Sequence, residues 1–492
     1  MRVLFASSEV FPLVKTGGLG DVSSALPAAL AAAGHEVRIL MPGYPAALSA
    51  VSDRRELARL GDPLATGSEV VLVEGRLPGG GGGGGVTVWL LDCPALYARD
   101  GGPYTDLAGR DWPDNGLRFG LLSWAAAALS CEASPLDWRP QILHCNDWQT
   151  GLAPAWLQAW GTPGRAGTVF TIHNIAYQGR YGADLVARLG LPPDMYAPEG
   201  FEYYETLSFL KAGIYYADRL TTVSPRYARE IQTPAFGYGM EGLLAWRAGV
   251  LTGILNGADY QVWDPATDRH LARPFKPGDA SGKAANKAAL LNELGLQPQP
   301  HTPLLVVVTR LTEQKGMDLL LAVLPAILAQ GAQVGVIGTG DRALEQAFLA
   351  AAAAHPDQVA VHIGYSEPLA HRLIAGGDML LMPSRFEPCG LTQLYAFRYG
   401  TVPVGHAVGG LADTLVDTSY DTLINGSANA FVFEHSNAGA FQWTIERAVS
   451  LYRDPDRWRR IVEAGLAQDF SWSRAAQHYQ DLYAGLIAER GL

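Results

Sequence analysis

Short apolar runs of strand length alternate with helix-length apolar stripes along this chain, and the alternation begins twice. Residues 3–6 read as a buried strand, residues 22–33 as a striped helix closed by Gly34, and residues 36–41 as the next strand. Further strands are expected at residues 142–145, 168–172, 220–223 and 253–255, with helical segments between most of them. Parallel strands joined by helices call for one sheet covered on both faces. From about residue 256 to 303 the pattern is interrupted by Pro265, Pro274, Pro277, Gly278, Gly282, Pro298, Pro300 and Pro303, which reads as a connection between domains. Alternation then resumes, with strands at residues 304–309, 334–337, 359–363, 379–383 and 402–404 and helices such as 318–329 and 342–354. The expectation is an α/β chain of two doubly wound parallel-sheet domains, facing each other across a cleft lined by loops from the strand ends. At 492 residues the chain exceeds what one core usually organises, about 250–300.

A net charge of −11 argues against a nucleic-acid binder, which needs a basic face to replace counterions. An anionic ligand would have to be held by a local cluster of cations. Cys93, Cys131, Cys145 and Cys389 are scattered without a Cys-x-x-Cys pair, so neither a zinc site nor a disulfide framework is expected, and a reducing cytoplasm is the simplest home. Residues 1–6 lack a long apolar core before Lys15, and the apolar run at 121–131 is too short to span a bilayer, so no targeting or membrane segment is expected. The glycine run from Gly79 to Gly85 reads as a flexible hairpin tip.

Chemistry is expected on the loops after strands. Ser384-Arg385-Phe386-Glu387-Pro388-Cys389-Gly390-Leu391-Thr392-Gln393 places Glu387 on a bend between an apolar strand and a helix. Glu387 is either a carboxylate that offsets the helix dipole or a ligand-binding group. Lys15-Thr16-Gly17-Gly18-Leu19-Gly20-Asp21 lies between the first strand and first helix, where glycines allow backbone N–H groups to approach an anion and Lys15 adds a charge; a plain tight turn is the alternative. Arg310 and Lys315 occupy the corresponding loop of the second half and are either an exposed basic loop or a pair able to neutralise a diphosphate. His173 ends a strand of the first half and is read as a hydrogen-bonding partner for a polar substrate or as a structural histidine. His144 and Asp147 flank Asn146 after another strand, and Trp148 either stacks on a ligand or fills the core. No His-Glu-x-x-His, carboxylate cluster or Gly-x-Ser-x-Gly elbow appears, so charge neutralisation is expected from protein groups rather than a metal.

Taken in order, residues 15–22, 147–152, 171–179, 254–257, 310–316 and 384–395 closely resemble bacterial glycogen synthases and plant starch synthases. The resemblance implies a GT-B glycosyltransferase of two Rossmann-like domains. Residues 1–256 would form the acceptor-side domain, joined by a returning C-terminal helix at 472–492, and residues 257–471 the nucleotide-sugar-binding domain. It implies transfer of glucose from ADP-glucose to the non-reducing end of an α-1,4-glucan such as glycogen, with retention, no cofactor and no metal. Nucleic acid and membrane are not expected partners, and oligomerisation is left open. By the same resemblance Lys15 and Gly18 are phosphate and glucan-side contacts, and Arg310 and Lys315 clamp the diphosphate. Glu387, with Cys389, Gly390, Leu391 and Thr392, holds the donor glucose. Asp21, His173 and Asn256 surround the transferred sugar, Tyr365 stacks on adenine, and Tyr104, Asp147 and Trp148 lie on the acceptor side. Gly20 stands where many relatives carry Ala, and Val408 where Thr often precedes the Gly409-Gly410 pair. Front-side attack by the acceptor hydroxyl is favoured over a covalent intermediate. An epimerase of the same plan and a catalytically silent glucan-binding protein are the rival readings.

Overall fold

The computed structural model describes residues 1–78, 85–276, 278–299 and 301–492. The chain divides into two compact units, Met1–Gly257 with Trp472–Leu492, and Ala258–Ser471.

The first unit is built on a nine-stranded sheet. Seven strands are parallel, in the spatial order Leu251–Gly253, Arg219–Thr222, Gly167–Ile172, Ile142–Asn146, Arg2–Ala6, Glu36–Pro42 and Thr87–Asp92. The chain therefore leaves Arg2–Ala6 in one direction and returns to its other side at Ile142–Asn146, which makes the gap between these two strands the switch point where such sheets bind ligands. The expected all-parallel sheet is corrected at one edge, where Val71–Arg76 and Ser52–Arg59 pair antiparallel. Ser52–Arg59 is exposed along most of its length and reads Ser-Asp-Arg-Arg-Glu-Leu-Ala-Arg, so it carries no apolar alternation to betray it. Charged side chains on such an edge also discourage pairing with another chain. The flexible hairpin tip expected at Gly79 to Gly85 lies outside the described residues apart from Gly85; the strands flanking it pair through Arg76 and Thr87.

One face of this sheet is closed by the helix Trp472–Arg490. Its Trp472, Ala475, Ala476, Tyr479, Tyr483 and Leu486 pack against Val3, Phe5, Val22, Leu26, Leu30 and Ile254. Burial of large apolar side chains is worth roughly 1.5–3 kcal/mol each, so this helix is a major part of the unit's core. His144 bonds at 2.6 Å to the Tyr483 hydroxyl and at 2.6 Å to Thr171, which makes it a core histidine beneath the loops rather than a member of them.

The second unit carries six parallel strands in the order Val359–Ile363, Gln333–Gly338, Leu304–Val308, Met379–Met382, Val402–His406 and Phe431–Phe433. Numbered along this unit that is 3-2-1-4-5-6, the doubly wound order, with its switch point between Leu304–Val308 and Met379–Met382. The supposed connection at 256–303 is corrected too. It contains the helix Ala280–Leu294, started by the Asp279 side chain accepting from the N–H groups of Ser281 and Gly282 and stopped by Gly295 at φ 72°. Leu290 and Leu291 anchor it in the core of this unit. Pro265, Pro274, Pro298 and Pro303 flank the helix instead of interrupting it.

Candidate functional site

In the second unit the loops after the first and fourth strands meet at the switch point. Lys315 Nζ lies 2.5 Å from Glu387 Oε2, an ion pair whose side chains are 16% and 6% exposed. Ser384 Oγ donates to the same oxygen at 2.9 Å. The loops are stapled a second time by Arg385, whose guanidinium bonds both oxygens of Asp318 at 2.7 and 2.6 Å and whose N–H donates to the Gln314 carbonyl at 2.8 Å. That guanidinium holds the Asp318 carboxyl below the usual carboxylate range. Gly316, at φ 69°, sits where a Cβ would meet the Pro383 carbonyl at 2.0 Å, so only glycine lets the loops approach this closely.

Glu387 is held from behind as well. Gly409, at φ 46°, would drive a Cβ to 1.9 Å from the Glu387 carbonyl, and the Gly410 N–H donates to that carbonyl at 3.1 Å. A Cβ on Gly410 would meet the Cys389 carbonyl at 2.1 Å. Gln393 donates to the carbonyls of Cys389 and Gly390 at 3.0 and 2.9 Å, fixing the turn that leads to Leu391 and Thr392 at the start of helix Thr392–Arg398. Arg310 is exposed, with Nη2 3.4 Å from Gln314. Tyr365, 71% exposed, donates to Glu367 at 2.7 Å from the loop after Val359–Ile363.

The switch point of the first unit gathers a different set. Lys15 Nζ pairs with Asp21 Oδ1 at 2.7 Å, and both side chains are about one quarter exposed, 28% and 25%. Gly18 opens the helix Gly18–Ala32 beside them. The loop itself is organised by Glu9, 3% exposed, whose carboxylate accepts from Thr16 N–H and Thr16 Oγ1 at 2.5 Å each, from Gly17 N–H at 3.3 Å and from the Tyr104 hydroxyl at 2.5 Å. Burial raises the Tyr104 phenol well above its usual range, so it stays a donor. Sequence reasoning missed Glu9; its signal was an acid directly after the first strand, ahead of a glycine-rich loop with no partner of its own.

Asp147 has a positive φ of 57°, unusual for a non-glycine residue, and its Oδ1 accepts from the N–H groups of His173 at 2.8 Å and Asn174 at 3.4 Å. Burial pushes its carboxyl up to about 7, against the two backbone donors that pull it down. Burial likewise pushes His173 down to about 3, so the ring is neutral. Asn146 donates to the carbonyls of Ala6 and His144 at 3.1 and 3.3 Å, which turns its Oδ1 toward His173 Nε2 at 3.0 Å. The proton is thereby assigned to Nε2, and Nδ1 is left as an acceptor. Trp148 packs edge-on against Phe119 and Phe209, with Gly179 so close that a Cβ would stand 2.2 Å from the indole. The packing supports its core reading; the ring is nonetheless only half-buried. Asn256 is buried with its Oδ1 lacking any partner among the described residues, an orphaned acceptor of the kind that a ligand donor satisfies.

The structure thus brings Lys315 and Glu387 together in the second unit, with Cys389, Gly390, Leu391 and Thr392 on the same turn. In the first it pairs Lys15 on the loop with Asp21 in the first turn of the following helix, ties Tyr104 to that loop through Glu9, and joins Asp147 to His173. Among the described residues no group of three His, Cys, Asp or Glu is placed to hold a metal ion, and no helix is long and apolar enough to cross a membrane.

Known proteins share this sequence and this fold. Residues 2–246 match the starch synthase catalytic domain family and residues 296–464 the group 1 glycosyl transferases. The chain is 70% identical to the glycogen synthase of Paramagnetospirillum magneticum over all of this chain and 99% of that protein. It is 50% identical to that of Thioalkalivibrio sulfidiphilus over 99% and 100%. The catalytic domain of starch synthase IV from Arabidopsis thaliana, solved with ADP and acarbose, superposes with a TM-score of 0.88 at 31% identity and 99% coverage of both chains.

Proposed function

The chain belongs to the glycogen and starch synthase family of GT-B glycosyltransferases, and from that premise we propose that it transfers glucose from ADP-glucose to the non-reducing end of an α-1,4-glucan, releasing ADP. The observation that carries the chemistry is the Lys315–Glu387 pair at the switch point of the second unit. Among the described residues both contacts on the Glu387 carboxylate fall on Oε2, from Lys315 and Ser384, so Oε1 is the oxygen that accepts from a hydroxyl of the donor glucose and orients it.

The reaction proceeds with retention. The acceptor 4-hydroxyl forms its bond to the anomeric carbon on the face from which the phosphate departs, the bond from that carbon to the phosphate oxygen breaks, and the acceptor proton passes to the leaving phosphate. Arg310 and Lys315 neutralise the charge that grows on the diphosphate, a stabilisation made in the transition state and not in the ground state. Cys389, Gly390, Leu391 and Thr392 supply donor contacts from the same turn, and Tyr365 a ring for the adenine. Lys15 and Gly18 contact phosphate and glucan, and Asp21 and Asn256 sugar hydroxyls. His173 accepts a hydrogen bond from a sugar hydroxyl at Nδ1, and Tyr104, Asp147 and Trp148 serve the acceptor. The reaction needs no metal or cofactor on this reading, and the enzyme works in the cytoplasm.

The test is glucose transfer to glycogen from ADP-glucose and UDP-glucose side by side, with and without glucan and with a chelator present. Glucan-dependent incorporation from ADP-glucose, insensitive to the chelator, is expected. Donor turnover without glucan would point to an epimerase, and glucan binding without nucleotide release to a silent binding protein.

A further inference from the structure

His406 has no part in the chemistry described so far, yet it ends the strand beside the Glu387 loop and is 7% exposed. Its Nδ1 lies 2.8 Å from the Ser384 carbonyl oxygen, and its Nε2 lies 3.2 Å from the Glu434 carbonyl oxygen. The ring is seated on Phe433, with centroids 5.2 Å apart and planes at 21°. A carbonyl can only accept, so the closer contact fixes a proton on Nδ1 and makes the imidazole a donor to Ser384. Ser384 is itself 2% exposed and sends its hydroxyl to Glu387 Oε2. The strand end thus grips the residue that grips the carboxylate, while Gly410, four residues further on, donates to the Glu387 carbonyl from the other side.

We propose that His406 is a positioning residue for glucosyl transfer, acting through the Ser384 backbone to fix the Glu387 carboxylate against Lys315. The inference rests on the role given to Glu387 above. Without the His406 donor, the buried Ser384 carbonyl loses its side-chain partner, and the turn relaxes to recover one. A carboxylate displaced by even 1 Å from its productive position loses rate while the fold and the glucan-binding surface persist.

The experiment compares His406→Leu, which removes the donor, with His406→Asn, whose Nδ2 sits one bond from Cγ as the imidazole Nδ1 does, alongside Glu387→Ala and the parent enzyme. His406→Leu is expected to lower kcat by about 10–100-fold with the KM for glycogen unchanged. His406→Asn is expected to restore kcat to within about threefold of the parent. On a Ser384→Ala background the loss caused by His406→Leu should shrink, because the link to the carboxylate is already cut. Should the leucine variant not fold, His406→Phe, a ring with no hydrogen-bond donor, takes its place with the same expectation. Parent-like kcat in the leucine or phenylalanine variant overturns the proposal, as does an equal loss in the asparagine variant or a full loss on the Ser384→Ala background. An active Glu387→Ala enzyme would instead sink the role of Glu387 itself, which separates the two failures.

Discussion

The two units share one plan, yet they treat the lysine after their first strand differently. In each, the chain winds outward from a central strand, returns to its other side, and leaves a lysine near a carboxylate at the switch point. Lys15 and Asp21 are six residues apart and partly open to water, the setting in which an ion pair contributes about 0–1 kcal/mol and opens easily for an arriving anion. Lys315 and Glu387 come from loops 72 residues apart and are nearly buried, so removing either partner strands a charge at a cost of about 3–5 kcal/mol. On the function proposed above, the first pair is a local contact that a ligand would replace, and the second is preset machinery that a ligand would join.

The sharpest way to break this contrast is Glu387→Ala. Transfer to glycogen should fall by about 10³-fold or more, and the thermal midpoint should drop because Lys315 is left unpaired. Normal activity would remove Glu387 from the centre of the site. Next come the lysines compared directly. Lys315→Ala should lower kcat by about 10²-fold, whereas Lys15→Ala should chiefly raise the KM for ADP-glucose, by about 10-fold. Equal kcat losses in steady-state assays would erase the distinction.

A smaller effect is expected from the glycines behind each site. Gly409→Ala collides with the Glu387 carbonyl at a positive φ, and should cost more than about 1 kcal/mol in denaturant unfolding along with activity. Gly17→Ala, at φ −158° with nothing within 4 Å of the added Cβ, should stay within about 0.5 kcal/mol of the parent. The smallest effect is a slope. Asp147 is raised to about 7 by burial, so the folded state binds its proton more tightly than the unfolded chain does, and stability from this group declines as pH rises from about 4 to 7. Asp147→Asn should flatten that part of the stability profile; an unchanged slope would mean that the carboxylate is well solvated after all.

How far the sequence foretold this depends on sequence distance. Strands such as Val359–Ile363 and helices such as Arg342–Ala354 were legible because each carries its own periodicity. The strand Leu251–Gly253 was expected two residues later, since the apolar run continues into Ile254 and Leu255 after pairing with Arg219–Thr222 has ended. Ser52–Arg59 was invisible because cross-strand partners, not apolar alternation, make it a strand. Ala280–Leu294 was readable in principle from Asp279 and Gly295, and was obscured by the prolines around it. Residues of the candidate site were legible one loop at a time. The meeting of Lys315 with Glu387 was not, because it follows from strand order, and neither were Glu9 and His406, whose work is done through partners distant in sequence.

The helix Trp472–Arg490 belongs to the unit that begins at Met1. Its Tyr483 reaches His144 and its Arg490 reaches Asp218 at 2.9 Å, so the sheet face over Val3 and Phe5 is uncovered until the last part of the chain arrives. On the ribosome the order of birth and the order of completion are therefore reversed. The unit synthesised first must wait, with an apolar face exposed, while all of Ala258–Ser471 emerges and can fold as a body of its own.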